Sequence, residues 1–279
     1  MKVSISITNY SWPGSPAVEL SRIAQAADAA GIDTVWVADH LLQVDPFADP
    51  THTEHLEAMT TLGYLAAHTY RVHLGTMVAG VTFRPPAVLI KAVSTLATLT
   101  GGRAWFGVGT GHQEDEAKYM GLPFPPVAQR FEQLEETLQL AHQMWSGDTS
   151  AFSGKHFQLT RPVDSPLPPA RPRILVGGMG ERKTLRFVAQ YADACNLFDI
   201  PDGGKTVRHK LSVLAAHCAD LGRDYDSIEK TIGTRLGRDE TAAQFAARCD
   251  AFAELGFDHV GVITHGPWTE EAIKTVAPQ

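Results

Sequence analysis

The chain repeats one pattern along its length: a short run of β-branched and apolar residues, a turn, and a longer segment with helical spacing of apolar residues. In the first copy, a strand-like run from Val3 to Thr8 leads into a segment that is apolar at positions 20, 23, 24, 27 and 30 and stops at Gly31. Such alternation predicts a parallel sheet, because each right-handed crossover brings the next strand beside the last.

Eight such units can be distinguished. The predicted strands cover residues 3–8, 34–38, 72–81, 104–108, 174–176, 194–198, 228–235 and 259–263. The predicted helices cover residues 15–30, 57–69, 87–98, 127–145, 183–191, 205–221, 241–255 and 270–276. Eight units in 279 residues match the size of a (β/α)8 TIM barrel. We therefore predict one α/β domain over residues 1–279, with an inserted segment after strand four at about 146–172 that contains a hairpin at 152–159.

The rival fold is a doubly wound open sheet, which would place GxGxxG directly after the first strand. The first turn reads TNYSWPGSP instead, so the barrel is favoured. In a barrel the chemistry lies on the loops at the carboxyl ends of the strands. Those loops are where candidate site residues are expected.

Composition limits the possible partners. A net charge of -7 with scattered Lys and Arg argues against nucleic-acid binding and favours a small-molecule substrate. Cys195, Cys218 and Cys249 form neither a CxxC pair nor an even-numbered framework, so we expect buried thiols in a reducing cytoplasm. No apolar run approaches the length of about 20 residues that a membrane span needs, so no membrane association is expected.

Several side chains at the predicted strand ends can carry chemistry. Asp39 and His40 follow strand two, where a carboxylate could hold the tautomer of a proton-transferring imidazole; a structural pair closing the barrel is the alternative. Aromatic Tyr10 and Trp12 follow strand one and are candidates for substrate contact, and His112 follows strand four. A metal site built from His52, Glu54 and His55 is disfavoured, because strand one lacks the HxH of metal-dependent barrel hydrolases.

Glycines cluster after strands four and five of the predicted barrel. Gly107, Gly109 and Gly111 are expected to clear space near the barrel axis. After strand five, a helix begins with the run Gly177, Gly178, Met179, Gly180 and Glu181, and its first amides favour an anion such as a phosphate. A turn without a ligand would have the same sequence pattern. Together with the histidines and aromatic residues, these loops predict a wide pocket for a flat ligand with an anionic tail.

The chain resembles the bacterial luciferase-like superfamily, and within it the deazaflavin (coenzyme F420)-dependent oxidoreductases. The resemblance rests on four segments in the expected order: GIDTVWVADH (31–40), HLGTMVAGVTFRPPAVLIKAVSTLATLTGGRAWFGVG (73–109), GLPFPPVAQRFEQLEETLQLAHQMW (121–145) and PRILVGGMGERKTLRFVAQYADACNLF (172–198). It implies a (β/α)8 barrel, usually dimeric, that binds a flavin or deazaflavin at the carboxyl-terminal mouth.

The resemblance also implies roles for individual residues. Asp39 and His40 match a cofactor-facing pair, and Met77 and Val78 match a bulge with a non-prolyl cis peptide behind the tricyclic ring. The loop of Gly109, Thr110, Gly111 and His112 matches the loop beside the ring, and Gly177 to Glu181 match the site of the side-chain phosphate. His112 stands where many relatives have an aromatic residue, so the substrate residues of the family do not transfer.

The implied reaction is hydride transfer between C5 of coenzyme F420 and a small organic substrate, with His40 or His112 moving the matching proton. Two alternatives stay open at this stage. One is an FMN-dependent monooxygenase on the same fold, and the other is a flavin-binding barrel without catalysis.

Overall fold

The computed structural model describes residues 1–278. Its strands are β1 (Lys2–Ile7), β2 (Thr34–Val37), β3 (His73–Thr76), β4 (Ala79–Gly80), β5 (Ala104–Gly109), β6 (Phe152–Ser153), β7 (Gln158–Leu159), β8 (Arg173–Gly177), β9 (Ala194–Phe198), β10 (Glu229–Arg235) and β11 (His259–Ile263). Its helices are α1 (Pro16–Ala29), α2 (Ala58–His68), α3 (Pro86–Leu99), α4 (Glu114–Tyr119), α5 (Val127–Trp145), α6 (Thr184–Tyr191), α7 (Lys205–Leu221), α8 (Ala242–Glu254) and α9 (Glu270–Val276), with a 3₁₀ turn at Tyr225–Ser227.

The main sheet closes on itself. Its strands follow the order β3-β2-β1-β11-β10-β9-β8-β5, and β3 also pairs with β5. Every pairing in this ring is parallel, and helices connect successive strands. The prediction of an eight-stranded (β/α)8 barrel is confirmed, with β3 and β4 serving as two parts of one barrel strand.

The predicted strand over 72–81 is interrupted by a bulge. Gly75 pairs with Trp105 and Ala79 pairs with Val108, so the interval from 75 to 79 on one strand faces the shorter interval from 105 to 108 on the other. The extra residue falls at Met77–Val78, whose peptide bond is cis, as the family resemblance implied. The bulge separates β3 from β4 and turns its side chains into the barrel.

Two cores hold the barrel together. Alternate residues along each strand face opposite sides, so one set packs against the surrounding helices and the other fills the interior. The interior core consists of Trp36, Trp105, Leu175 and Ala194, with Met77 and Val78 packed on top. All three cysteines are buried free thiols, as predicted.

The amino-terminal end of the barrel is closed by an ionic cluster around Glu229. Its carboxylate accepts hydrogen bonds from Nζ of Lys2 at 3.0 Å, Nη1 of Arg173 at 2.8 Å and Nδ1 of His259 at 2.7 Å. Burial alone would raise the pKa of Glu229, but the hydrogen bond and charge of His259 and the charges of the other two groups outweigh it and hold the pKa well below its ordinary value.

The segment at 146–172 is fastened to the side of the barrel. Strands β6 and β7 form the predicted antiparallel hairpin. Buried Glu136 of α5 accepts hydrogen bonds from three backbone amides of its turn, those of Lys155, His156 and Phe157. Farther along, buried Asp164 accepts from Ser94 of α3 at 2.6 Å. These anchors hold the segment against α3 and α5, and its designation as an insertion remains an interpretation.

Candidate active site

The bulge forms the floor of the mouth at the carboxyl ends of the strands. Met77 and Val78 are half-buried and point in different directions: Sδ of Met77 lies 3.9 Å from the position of a Cβ at Gly261 of β11, whereas Val78 points toward β5 and β8. The two side chains therefore cover the interior core from above. They present an apolar surface on which a flat ring could lie.

The glycines of β5 and β8 accommodate this floor. A Cβ at Gly109 would lie 2.9 Å from Cγ2 of Val78, and one at Gly177 would lie 2.9 Å from its Cγ1. A Cβ at Gly107 would meet the carbonyl oxygen of Thr76 at 1.8 Å. The expectation that Gly107 and Gly109 clear space near the axis is thus corrected, because Val78 and the β3 backbone occupy that space.

His40 is held at the mouth by Glu116, which was not among the predicted site residues. Its Nδ1 lies 2.7 Å from Oε2 of Glu116, and Oε1 of Glu116 accepts the backbone amides of Leu41 at 2.6 Å and Leu42 at 3.0 Å. Burial alone would raise the pKa of Glu116, but these hydrogen bonds outweigh it and hold the pKa below its ordinary value. An ionised Glu116 fixes the proton on Nδ1, so neutral His40 has an acceptor at Nε2.

Two further histidines surround His40. The ring centroid of His112 lies 5.5 Å away and that of His55 lies 6.2 Å away. Burial lowers the pKa of His55 to about 4, and the partial desolvation of the exposed His112 lowers its pKa as well; protonation of His40 would add to both effects. Both imidazoles are therefore neutral near pH 7, and the structure brings together the two histidines predicted for proton transfer.

Asp39 lies beneath the mouth instead of facing it. Its side chain is fully buried and forms a bidentate ion pair with Arg84 at 2.8 and 2.9 Å, and its Oδ2 accepts the amide of Gly80 at 3.1 Å. Arg84 also pairs with Glu57, which caps α2. These partners hold both oxygens of Asp39, so the structure shows this carboxylate as an anchor, and its direct contact with a cofactor stays a prediction.

The aromatic pair after β1 is also placed more deeply than expected. Tyr10 is 0% exposed, with its ring 5.2 Å from that of His55, so the prediction that it touches substrate is corrected. Trp12 is half-buried, and its Nε1 donates to the carbonyl oxygen of Trp268 at 2.8 Å. Trp12 is thus the member of the pair that retains surface at the rim.

The loop after β8 presents free backbone amides. Gly178 has a φ of +111°, and residues 178–183 donate no backbone hydrogen bond to any group within residues 1–278. The carboxylate of Glu181 forms an ion pair with Nζ of Lys210 at 2.6 Å, which offsets its negative charge. Together with half-buried Met179 and Thr110, this loop forms one rim of the mouth. Gly111, in the adjacent loop after β5, has a φ of +72°.

The opposite side of the mouth is crossed by residues 41–57, which we call the strap. Gln43 donates to the carbonyl oxygen of Thr8 at 3.0 Å, and His52 lies 3.1 Å from Nδ2 of Asn9. Farther across, Asp45 pairs with Arg235 at the end of β10. The strap therefore extends from β2 over β1 and β11 to β10.

His52, Glu54 and His55 lie on the strap. Within residues 1–278, no three His, Cys, Asp or Glu side chains are grouped closely enough to hold a metal ion. In the same range, no helix combines the length and apolar character needed to cross a membrane.

Curated relatives share sequence with most of the chain. It is 33% identical over 236 residues to an F420-dependent glucose-6-phosphate dehydrogenase of Kineococcus radiotolerans, covering 81% of this chain and 66% of that protein. A protein of the same name from Tsukamurella paurometabola is 34% identical, covering 79% and 65%. A pyrimidine monooxygenase RutA of Allorhizobium ampelinum is 31% identical, covering 75% and 58%. The chain spans about two thirds of the length of the two dehydrogenases and somewhat less of the monooxygenase.

Solved structures share the fold at low sequence identity. An F420-dependent secondary alcohol dehydrogenase in complex with an F420-acetone adduct superposes with a TM-score of 0.83 at 18% identity, covering 99% of this chain and 97% of that one. The coenzyme F420-dependent tetrahydromethanopterin reductase from Methanopyrus kandleri gives 0.78 at 16% identity, with the same coverage. The family model for luciferase-like monooxygenases matches residues 1–275. The chain therefore belongs to the luciferase-like monooxygenase family.

Proposed function

We propose that this protein is a coenzyme F420-dependent oxidoreductase that transfers a hydride between the cofactor and a small organic substrate. The names of its curated relatives support the cofactor assignment. The observation that carries the proposal is the His40–Glu116 pair, which holds an imidazole beside the apolar floor of the mouth.

His40 would exchange the proton that accompanies the hydride. In the oxidative direction, Nε2 of His40 accepts the proton of the substrate hydroxyl, and Glu116 stabilises the resulting imidazolium through Nδ1. In the reductive direction the same nitrogen returns the proton to the new alkoxide. His112 is the second candidate for this role, because its ring lies next to that of His40.

The residues around the mouth fit a deazaflavin. Met77 and Val78 would support the ring, Gly109 to Gly111 would lie beside it, and the free amides of residues 178–183 would receive the anionic tail. Bound there, the cofactor would supply a carbon that gives or accepts a hydride. The half-buried floor would keep water away from that face of the ring.

The FMN-dependent monooxygenase remains the second candidate. The match to the pyrimidine monooxygenase supports it, since that relative is named for oxygen chemistry. The amides of residues 178–183 would also accept the phosphate of FMN, so a binding measurement with both cofactors separates the two candidates.

The proton role is tested by His40→Ala, His112→Ala and Glu116→Gln. We expect His40→Ala to lower the turnover of F420 reduction by about 10²-fold or more while cofactor Kd changes by less than about tenfold. Glu116→Gln keeps an acceptor for the amides of Leu41 and Leu42 but removes the negative charge that favours protonated His40. The acidic limb of the pH–rate profile of this variant should therefore move to lower pH. An unchanged rate in His40→Ala would assign the proton to His112 or to solvent.

We further propose that the protein acts as a homodimer in the cytoplasm. An apolar groove of about 720 Å³ lies between α2, α3 and residues 159–163. On α3, Val88 is 57% exposed and Leu99 is 75% exposed. A second copy covering this face would remove these side chains from water.

A further inference from the structure

Arg235 places a positive charge on the inner side of the barrel mouth. Along β10, the side chain of Thr231 and the Cβ position of Gly233 both meet Asn196 of β9, whereas Thr234 contacts Arg248 of α8 on the outer side. Because side chains alternate along a strand, Arg235 shares the inner side with Thr231 and Gly233. It is the last residue of β10, at the level of Ile263 of β11.

The strap cancels this charge. Both oxygens of Asp45 lie within hydrogen-bond distance of Nη2 of Arg235, at 2.9 and 3.1 Å, and Nη1 donates to the carbonyl oxygen of Thr264. The side chains of Asp45 and Arg235 are only 12% and 20% exposed, so the pair is shielded from salt. The guanidinium is thereby occupied by groups of this chain.

The other polar groups of this side of the mouth are neutral or already paired, except for Arg238. Burial lowers the pKa of His265, with the charges of Arg235 and Arg238 adding to the effect, and the same cause keeps His55 and His112 uncharged. Arg84 is committed to Asp39 and Glu57. Arg238 stands on the loop after β10 and is exposed, so it offers a phosphate one solvated donor.

We propose that Asp45 is a specificity-determining residue that cancels the positive charge of Arg235 in the substrate chamber, so that the enzyme takes uncharged alcohols or carbonyl compounds and excludes phosphate esters. The inference rests on the proposed function. It separates this chain from relatives named for glucose 6-phosphate, whose substrate carries a dianion. A phosphate in this chamber would face the Asp45 carboxylate and would have to displace it from Arg235, which disfavours binding.

The effect of Asp45 on anion binding is measured in the absence of cofactor. Inorganic phosphate is titrated calorimetrically into the full chain, into Asp45→Asn and into the matched strap variant Asp49→Asn, whose carboxylate serves only the Thr51 turn. We expect Asp45→Asn to bind phosphate at least about tenfold more tightly than the unaltered chain, and Asp49→Asn to match the unaltered chain. The double variant Asp45→Asn/Arg235→Gln should lose the gain.

The substrate class is tested on the unaltered enzyme with F420. Cyclohexanol and glucose 6-phosphate are compared as hydride donors at equal concentration, and we expect at least about a hundredfold preference for cyclohexanol. Preference for glucose 6-phosphate, or no gain in phosphate binding by Asp45→Asn over the unaltered chain, would overturn the inference. Phosphate bound at the amides of residues 178–183 is common to all the variants and cancels in the comparison. Absence of F420 turnover with every donor would refute the proposed function, while the phosphate titrations would still decide the role of Asp45.

Discussion

Replacing Gly109 with alanine would place a methyl group 2.9 Å from Cγ2 of Val78. The replacement at Gly177 has a similar effect from the other side, at 2.9 and 3.1 Å from the two methyl groups of Val78. The backbone carbonyl of Gly177 lies 3.8 Å from the first new methyl group, so Val78 is the side that has to move. A shift of Val78 toward the mouth would bring it into the space where the cofactor ring is proposed to lie.

The magnitude follows from the packing. Inserting a methyl group into a filled interior costs about 1–3 kcal/mol, which for a chain of this length lowers Tm by roughly 3–9 °C. A Cβ at Gly233, another interior glycine, would have its nearest neighbour at an ordinary 3.5 Å. Gly233→Ala should therefore change stability by less than about 0.5 kcal/mol.

The assay combines calorimetric unfolding with F420 titration. We expect Gly109→Ala and Gly177→Ala to lose stability and at least about tenfold in cofactor affinity, and Val78→Ala to recover part of both losses in the double variants, with a coupling energy of about 1–3 kcal/mol. Purely additive effects of Gly109→Ala and Val78→Ala would refute the account of why these positions are glycine.

Two further predictions concern stability and assembly. Glu229→Gln should destabilise the fold by about 2–4 kcal/mol at pH 7 without lowering turnover per folded molecule, because Glu229 lies at the opposite end of the barrel from the mouth. The folded-state pKa of Glu229 is depressed, so the difference in unfolding free energy should shrink as the pH falls below about 4.3, as denaturant titrations would show. Val88→Glu should convert the proposed dimer to monomers in analytical ultracentrifugation; if an assembled state exists and this variant leaves it unchanged, the interface lies elsewhere.

Much of the fold could be predicted because the signals are local. The predicted bounds of α5 coincide with those observed, since apolar residues recur at helical spacing over the whole segment and Pro126 precedes it. The strand over 72–81 was predicted too long, because the bulge at Met77–Val78 is set by packing against β5 and β8 and not by the composition of the run.

The candidate site was predictable only in part. His40 and His112 stand directly after strands, and the structure places their rings side by side. Glu116 was missed because nothing in the run Glu114, Asp115, Glu116 distinguishes the buried carboxylate from its exposed neighbours before the barrel closes. The partners of Asp39 and Asp45 were missed for the same reason: Arg84 and Arg235 are distant in sequence and meet them only in the folded barrel.

The central claim is that the mouth binds a deazaflavin for hydride transfer, and a titration of cofactor-free protein tests it most directly. Oxidised F420 and, separately, FMN would be added while tryptophan fluorescence is followed, with Trp36 and Trp105 lying beneath the proposed ring site. The account predicts micromolar binding of F420 and much weaker binding of FMN. Preferential binding of FMN would favour the monooxygenase, and binding of neither would contradict the assignment of this mouth as a cofactor site.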